Sequence, residues 1–401
     1  MRNRPFKFLH FSDLHARRDN LDKVERALDT VIHEAVERQP DVIFFSGDIW
    51  DGEVSNIESS PLILVVDKLR EMARTATVVI LHGTPGHDRP GSLEIFKRLD
   101  SDGDKQEADY RNKQIIVLDR PEPFVTGDLM VLPIPAVTKS GLMQKAHEEG
   151  ESISPERSDQ VCARLLNEMI LLYKVNLAEH RKQNPDTIGI VLGHITVTGS
   201  ETSTGQTILG GDVCLPVSTL AEVGADYVGL GHIHKPQEFE PNIYYAGSAF
   251  PVNWGEVEEK SFIYGEIGPG ELEIERIPFP FPAMVDVTAV ADDGLLRLEA
   301  ENLQACHGAE VRCRVLLKPA EKDLWDSEAV FIQFADNGVA PRSIKFEKVI
   351  ESEARLRCEQ ISTARSYHDK LKAWGETTGT DITPSVLHKL EEVELEVGHA
   401  S

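Results

Sequence analysis

The chain reads as a layered α/β protein in which sheets are covered by helices. Two observations predict that class. Short apolar, β-rich runs alternate with longer helical stretches through the first half of the sequence. The polar residues with chemical potential fall directly after those runs, where α/β sheets gather their ligands.

Taken in order, Lys7–Phe11 is the first strand and Leu21–Gln39 the first helix, with Leu21, Val24, Leu28, Val31 and Ile32 at helical spacing. Val42–Phe45 is a strand, Pro61–Arg74 a helix and Thr77–Leu81 a strand, which completes a βαβαβ run. Ile115–Leu118 and Leu129–Pro133 add short strands. A long helix over about Ser158–Lys182 carries Val161, Leu165, Met169, Leu172 and Tyr173 on one stripe. Thr187–Leu192, Tyr227–Leu230, Ile243–Ala246 and Ser261–Ile267 are the remaining β segments. The proline-rich Ile277–Met284 reads as a linker. Beyond it, strands at Val285–Val290, Val311–Leu317 and Ser343–Val349 alternate with helices over Leu295–His307 and Asp323–Asp336, which makes a small second domain. The expected division is therefore 1–278, 285–350 and a charged, helix-prone tail over 351–401. In the tail Tyr367, Leu371 and Trp374, then Val386, Leu390, Val393 and Val397, repeat at amphipathic spacing.

Bulk composition narrows the function. A net charge of −25 on 401 residues argues against binding nucleic acid by overall basicity. The first fifty residues are nearly balanced, with 8 Lys and Arg against 9 Asp and Glu, so the acidic excess lies elsewhere. Five cysteines with no C-x-x-C pair are expected to be reduced thiols of a cytoplasmic protein. The N-terminus reads as a strand rather than a signal peptide, and no apolar run reaches the roughly 20 residues of a membrane helix.

The informative motifs are Asp-x-His in FSDLH (Phe11–His15), Gly-Asp at Gly47–Asp48, His-Asp at His87–Asp88, Gly-His at Gly193–His194 and His-x-His in GLGHIHKPQ (Gly229–Gln237). Each alone is weak, since strand ends and turns often carry such residues. Two imidazoles flanking one apolar residue point to one side of an extended segment, however, and five such loops following strands converge on one sheet edge. Asp13, His15, Asp48, His194, His232 and His234 then form a nearly complete set for two divalent cations. Asp48 is expected to bridge them, with Asp13, His15 and His234 on one and His194 and His232 on the other. A pair so held hydrolyses phosphate esters. Carboxylate and imidazole together suit manganese, iron or zinc. His87 is expected to act on the leaving oxygen, with adjacent Asp88 orienting it and raising its pKa.

This order of motifs resembles the calcineurin-like metallophosphoesterases, whose signature runs D-x-H, GD-x-x-D/H, GNHD, GH, GH-x-H. The resemblance covers about the first 270 residues and implies a four-layer α/β/β/α sandwich. GDIWD (Gly47–Asp51), GLGHIHKPQ and AGSAFPVNWGEVEEKSF (Ala246–Phe262) further resemble the SbcD-type nuclease subunits. That likeness implies a manganese-dependent exonuclease and endonuclease of DNA repair. It also implies a capping domain, a homodimer, and C-terminal helices docked on the coiled coil of an SbcC-like ABC-type ATPase. Asp51 matches a signature position near the leaving group or behind the ligands.

The signature Asn, a ligand to the second metal, is replaced by Gly86. The second site then has His82, Thr84, a backbone carbonyl or water to draw on, or binds its cation weakly. Arg17, Arg18 and Arg89 are the loop cations placed to touch a phosphate backbone; exposed loop arginines are otherwise simply solvated. Two alternatives stay open beside the nuclease: a phosphoesterase acting on nucleotides or phosphoproteins, and a catalytically weakened scaffold that binds DNA ends or a partner.

Overall fold

The first strand, β1 (Phe6–Phe11), has the two-residue period of an extended chain, with Phe6 and Phe8 in one apolar cluster and Leu9 and Phe11 in another. The structure is a computed structural model that describes residues 4–52, 60–99, 109–148, 158–206, 213–292, 295–318, 327–350, 367–378, 382–383, 386–387 and 389–390. After β1 come α1 (Leu21–Arg38), β2 (Val42–Phe45), α2 (Ser60–Ala73), β3 (Thr77–Leu81), α3 (Glu94–Leu99) and β4 (Ile115–Leu118). Then follow β5 (Phe124–Thr126), β6 (Leu129–Ile134), α4 (Lys139–Glu148), α5 (Ser158–Gln183), β7 (Ile188–His194), β8 (Thr196–Val197), β9 (Cys214–Leu215), α6 (Val217–Ala221) and β10 (Tyr227–Gly231). β11 (Gln237–Phe239), β12 (Ile243–Tyr245), β13 (Ser261–Gly268) and β14 (Glu271–Pro278) close this part of the chain.

Two six-stranded sheets result, in the orders β14-β13-β1-β2-β3-β4 and β11-β12-β10-β7-β6-β5. Each has a parallel centre, β1 to β4 in the first and β6, β7, β10 and β12 in the second, with antiparallel strands added at the edges. Phe6, Phe8, Phe44 and Leu81 of one sheet meet Val131, Ile190, Leu192 and Tyr227 of the other in an apolar middle layer. On the outer faces, Leu9 and Phe45 pack under Val24, Leu28 and Val65, while Met130 and Leu132 pack under Leu166, Ile170 and Tyr173. This is the α/β/β/α sandwich the sequence predicts. Parallel register sets Phe11 beside Phe45, Phe45 beside Ile80, and Gly231 beside His194, so the loops that follow share one edge.

The middle layer holds one polar residue that periodicity treats as apolar. His10 is fully buried, its Nδ1 2.8 Å from the Tyr227 hydroxyl and its Nε2 2.8 Å from Ser46 Oγ. Burial, reinforced by Arg276, lowers its pKa from 6.5 to about 3. Below pH 6.5 the unfolded chain therefore binds a proton that the folded chain refuses, and stability falls as the pH falls, by about 1.4 kcal/mol per unit. Between pH 6.5 and about 5 this group alone should cost about 2 kcal/mol. Urea unfolding at the two pH values checks it: His10→Asn should lose that much less stability than the wild type over the same interval.

The chain divides into two compact units, Met1–Val285 and Asp286–Ser401. Ile277 and Pro278, expected in the linker, instead finish β14, and Phe279 is buried against Phe262. A four-stranded sheet in the order β16-β15-β17-β18 follows, built from β15 (Met284–Asp292), β16 (Leu295–Leu298), β17 (Glu310–Leu317) and β18 (Ser343–Ile350), with α7 (Ser327–Asp336) after β17. The helix expected over Leu295–His307 is not formed. Leu295–Leu298 pair antiparallel with Ala289–Asp292, and only Ala300–Cys306 coil, as a 3-10 turn, because the ladder satisfies backbone groups that a helix would otherwise have to pair. In the tail, α8 (Tyr367–Thr378) contains the first predicted stripe, and Val386 and Leu390 are helical. Val393, Val397 and residues 351–366 lie outside the described residues. No described helix is long and apolar enough to cross a membrane.

Candidate metal centre

The loops that end β1, β2, β3, β7 and β10 carry the motifs, and their backbones are bent sharply to do so. Among the described residues six non-glycine positions have positive φ, and four of them are Asp13 (52°), His15 (47°), Asp48 (56°) and His232 (88°). Such conformations are costly for side-chain-bearing residues and persist where surrounding structure holds them, commonly at functional sites. Here the two first loops hold each other: Asp13 N–H donates to Gly47 O, Leu14 and His15 N–H to Asp48 O, and Ala16 N–H to Ile49 O, at 2.8–3.1 Å. Gly83 completes the approach. A Cβ there would collide with the backbone nitrogen and carboxylate of Asp48, so only glycine lets the third loop come this close.

Three groups of side chains result, each with its ligand atoms within 4.8 Å of one another: Asp13–His15–His234, His15–Asp48–His87 and Asp48–His194–His232. All six residues expected to hold metal are brought together, and the groups share His15 and Asp48. His15 Nε2 lies 3.0 Å from His234 Nε2 and 4.0 Å from Asp13 Oδ1. His194 Nε2 lies 3.1 Å from Asp48 Oδ2. Burial and then the His234 imidazole lower His15 to about 4, which keeps it neutral. Burial opposes charge on Asp48, but His194, His15 and His87 outweigh it and hold the carboxyl well below its usual range. A buried ionised carboxylate among facing imidazole nitrogens is the donor set a divalent cation requires, and the arrangement fits one.

The residues behind the ligands fix which atoms face inward. His194 Nδ1 donates to Ser46 O at 2.7 Å, so its Nε2 is the nitrogen left for Asp48. Both Asp13 oxygens accept from His232 N–H at 3.1 Å. Three residues not singled out from the sequence hold the His-x-His segment. Gln206 spans it, accepting from His234 N–H at 3.1 Å and donating to His232 O at 2.6 Å. Lys260, 1% exposed, donates to His234 O at 3.1 Å while pairing with Glu256 and Glu258, each at 2.7 Å. Glu256 Oε1 lies 3.7 Å from His234 Nδ1; burial pushes its pKa up, but His234 and Lys260 outweigh it and hold it at about 2. Losing one partner from so buried a pair typically costs about 3–5 kcal/mol. Glu256 and Lys260 belong to the GEVEEKSF run noted in the sequence; Gln206 had no signal beyond its residue type.

His87 differs from expectation in its partner. Its Nδ1 lies 3.4 Å from Asp51 Oδ1, and Asp51 Oδ2 accepts from Arg17 Nη1 at 2.8 Å. Asp51 raises the His87 pKa against a smaller effect of burial, and His87 in turn is the main reason that the Asp51 carboxyl falls to about 2. Asp88, expected to orient His87, is instead fully buried and accepts from the backbone N–H groups of Asp48, Gly83, Ile49 and Trp50 at 2.9–3.3 Å. Adjacent side chains in a tight turn diverge, so the residue next in sequence is not the neighbour in space. His82 also turns aside: its Nδ1 is 3.0 Å from Gly83 O, and it lies outside all three groups. Arg17, Arg18 and Arg89 are all exposed, and Arg17 pairs with Asp51 and Asp19.

Residues 6–236 match the calcineurin-like phosphoesterase family. The chain belongs to that family. It is accordingly a metal-dependent phosphoesterase, a hydrolase whose relatives use divalent cations. Over 279 residues it is 23% identical to the SbcD component of the nuclease SbcCD from Staphylococcus saprophyticus, covering 68% of each chain. Among solved structures it is similar to a dimetal phosphatase from Danio rerio, at 14% identity and a TM-score of 0.41, covering 69% of this phosphoesterase and 99% of that chain.

Proposed function

We propose that this phosphoesterase is a DNA phosphodiesterase, the nuclease subunit of an SbcCD-like complex of DNA repair. The observation that carries the reading is a coincidence of two signals. The segment by which the sequence resembles SbcD-type subunits, Ala246–Phe262, is the one that sends Glu256 and Lys260 under His234. The 23% identity to the staphylococcal SbcD component supports it as well.

In this reading Asp13, His15 and His234 hold one cation, His194 and His232 the other, and Asp48 both. Manganese is the expected ion, with iron or zinc as substitutes. The bound pair supplies a water acidic enough to attack phosphorus near neutral pH, and positive charge for the phosphoryl oxygens. His87 stands beside Asp48 and His15 with Nδ1 toward Asp51, which leaves Nε2–H to donate a proton to the departing sugar oxygen. Arg17 braces Asp51 from behind. Asp88 is structural here, gathering four backbone N–H groups into the turn that presents His87.

Residues 1–278 form the nuclease domain, 285–350 a cap, and 351–401 the segment that docks on a coiled-coil ABC-type ATPase; the division after Val285 is consistent with that plan. A cytoplasmic homodimer with DNA as substrate completes the proposal, Arg18 and Arg89 being exposed cations on the motif loops. The net charge of −25 favours a second reading, a phosphoesterase for nucleotides or phosphoproteins. Purified protein assayed with manganese on linear duplex DNA, single-stranded DNA and an aryl phosphodiester separates the two. Cleavage of DNA is expected. Hydrolysis of the small ester with intact DNA would remove the nuclease assignment.

A further inference from the structure

The turn after β3 departs from the family signature at the position that should supply a side-chain oxygen to the second cation. Gly86 stands there, and beyond its two chain neighbours nothing lies within 4 Å of where a Cβ would be. The position is simply empty of donors. His82, four residues earlier, is turned onto Gly83 O.

Thr84 occupies the ground between them. Its N–H donates to Asp48 Oδ1 at 2.5 Å, which ties the residue to the carboxylate shared by two of the ligand groups. Its Oγ1 lies 3.2 Å from Asp48 Oδ2 and 3.2 Å from His194 Nε2, and those two atoms are themselves 3.1 Å apart. Three donor atoms thus form a nearly equilateral triangle. Metal bonds of about 2.1 Å place neighbouring ligands about 3.0 Å apart in an octahedron and about 3.4 Å apart in a tetrahedron. The triangle has the dimensions of one coordination face.

The Nδ1 of His194 donates to Ser46 O, which turns Nε2 toward Asp48 and Thr84.

We propose that the Thr84 hydroxyl is the protein oxygen that completes the second cation site, in place of the signature asparagine. The inference rests on the metal-centre reading and adds a ligand that the family pattern does not contain. It also explains how a chain with glycine at position 86 keeps two cations rather than one.

Manganese titration of the metal-stripped full chain, followed by calorimetry and by the electron paramagnetic resonance of free ion, tests it on three proteins. The wild type should bind two ions. Thr84→Val, which keeps shape and removes only the hydroxyl, should bind one ion as before and the other at least about tenfold more weakly. Thr84→Ser, which restores the hydroxyl, should bind both like the wild type. Equal binding of two ions by Thr84→Val, or an equal defect in Thr84→Ser, overturns the role of Thr84 and leaves the metal centre standing. Loss of both ions in Thr84→Val also overturns it, since the defect would then not belong to one site. A wild type that binds fewer than two ions overturns the metal-centre reading itself.

Discussion

Asp48→Asn should remove phosphodiester hydrolysis almost entirely, by three orders of magnitude or more, which corresponds to about 4 kcal/mol or more of lost transition-state stabilisation. Asp48 is the one carboxylate common to the His15–Asp48–His87 and Asp48–His194–His232 groups. Asparagine keeps its size, and its side-chain oxygen still accepts from Thr84 N–H, but the charge that balances the cations is gone. The effect should appear in metal binding. In chelator the variant should itself melt lower than the wild type, because the imidazoles around Asp48 favour its charge and His194 loses its buried partner, so the metal-dependent rise is the quantity to compare. With manganese at about a hundred times its dissociation constant, the wild type should gain about 2.7 kcal/mol per site. Asp48→Asn should gain far less. Thermal melts with and without manganese, beside turnover on the same preparations, check both halves. A variant that keeps the full metal-dependent rise in melting temperature would refute the bridging role.

His87→Ala should lower kcat by about 10²–10⁴-fold while leaving bound metal unchanged, since the residue moves a proton rather than holding a cation. The loss should depend on the leaving group. A sugar alkoxide needs protonation and an aryl oxide does not, so the defect should be large on DNA and small on an aryl phosphodiester. Asp51→Asn is the companion variant. Asp51 raises the pKa of His87 through the contact at 3.4 Å, so removing its charge lowers that pKa. The alkaline limb of the kcat profile, where the acid loses its proton, should therefore move to lower pH. Equal defects on both leaving groups, with an unmoved alkaline limb in Asp51→Asn, would show that His87 only shapes the pocket.

Much of this molecule is visible in short stretches of its chain. The parallel strands are unbroken apolar runs because both of their faces are covered, and Val42–Phe45 and Thr77–Leu81 are found at their predicted bounds. The long helix α5 was visible from its stripe, but Leu172 of that stripe is exposed, and Leu166, Ile170 and Leu177 are buried beside Leu165 and Tyr173. The short elements α3 and α4 and the edge strands β5 and β11 were not, since a few residues paired on one side leave little periodic pattern. Leu295–Leu298 misled for a related reason: four residues beside a helix-prone run became a strand because a neighbouring strand offered a ladder.

The residue types of the centre, and their positions after strands, were likewise legible, because strand ends and dipeptide motifs are local. Which carboxylate faces His87 was not. Asp88 is its neighbour along the chain, yet Asp51 is its neighbour in space, because the turn points successive side chains apart and the parallel register carries the second loop alongside. Gln206, Glu256 and Lys260 reach the His-x-His segment across 22 to 28 positions, and His10 pairs with Tyr227 across 217. Periodicity constrains residues a few places apart through the geometry of one helix or strand. Contacts at longer range depend on strand order, sheet stacking and loop backbones with φ above zero, and these come into being only when the sheets close on one another.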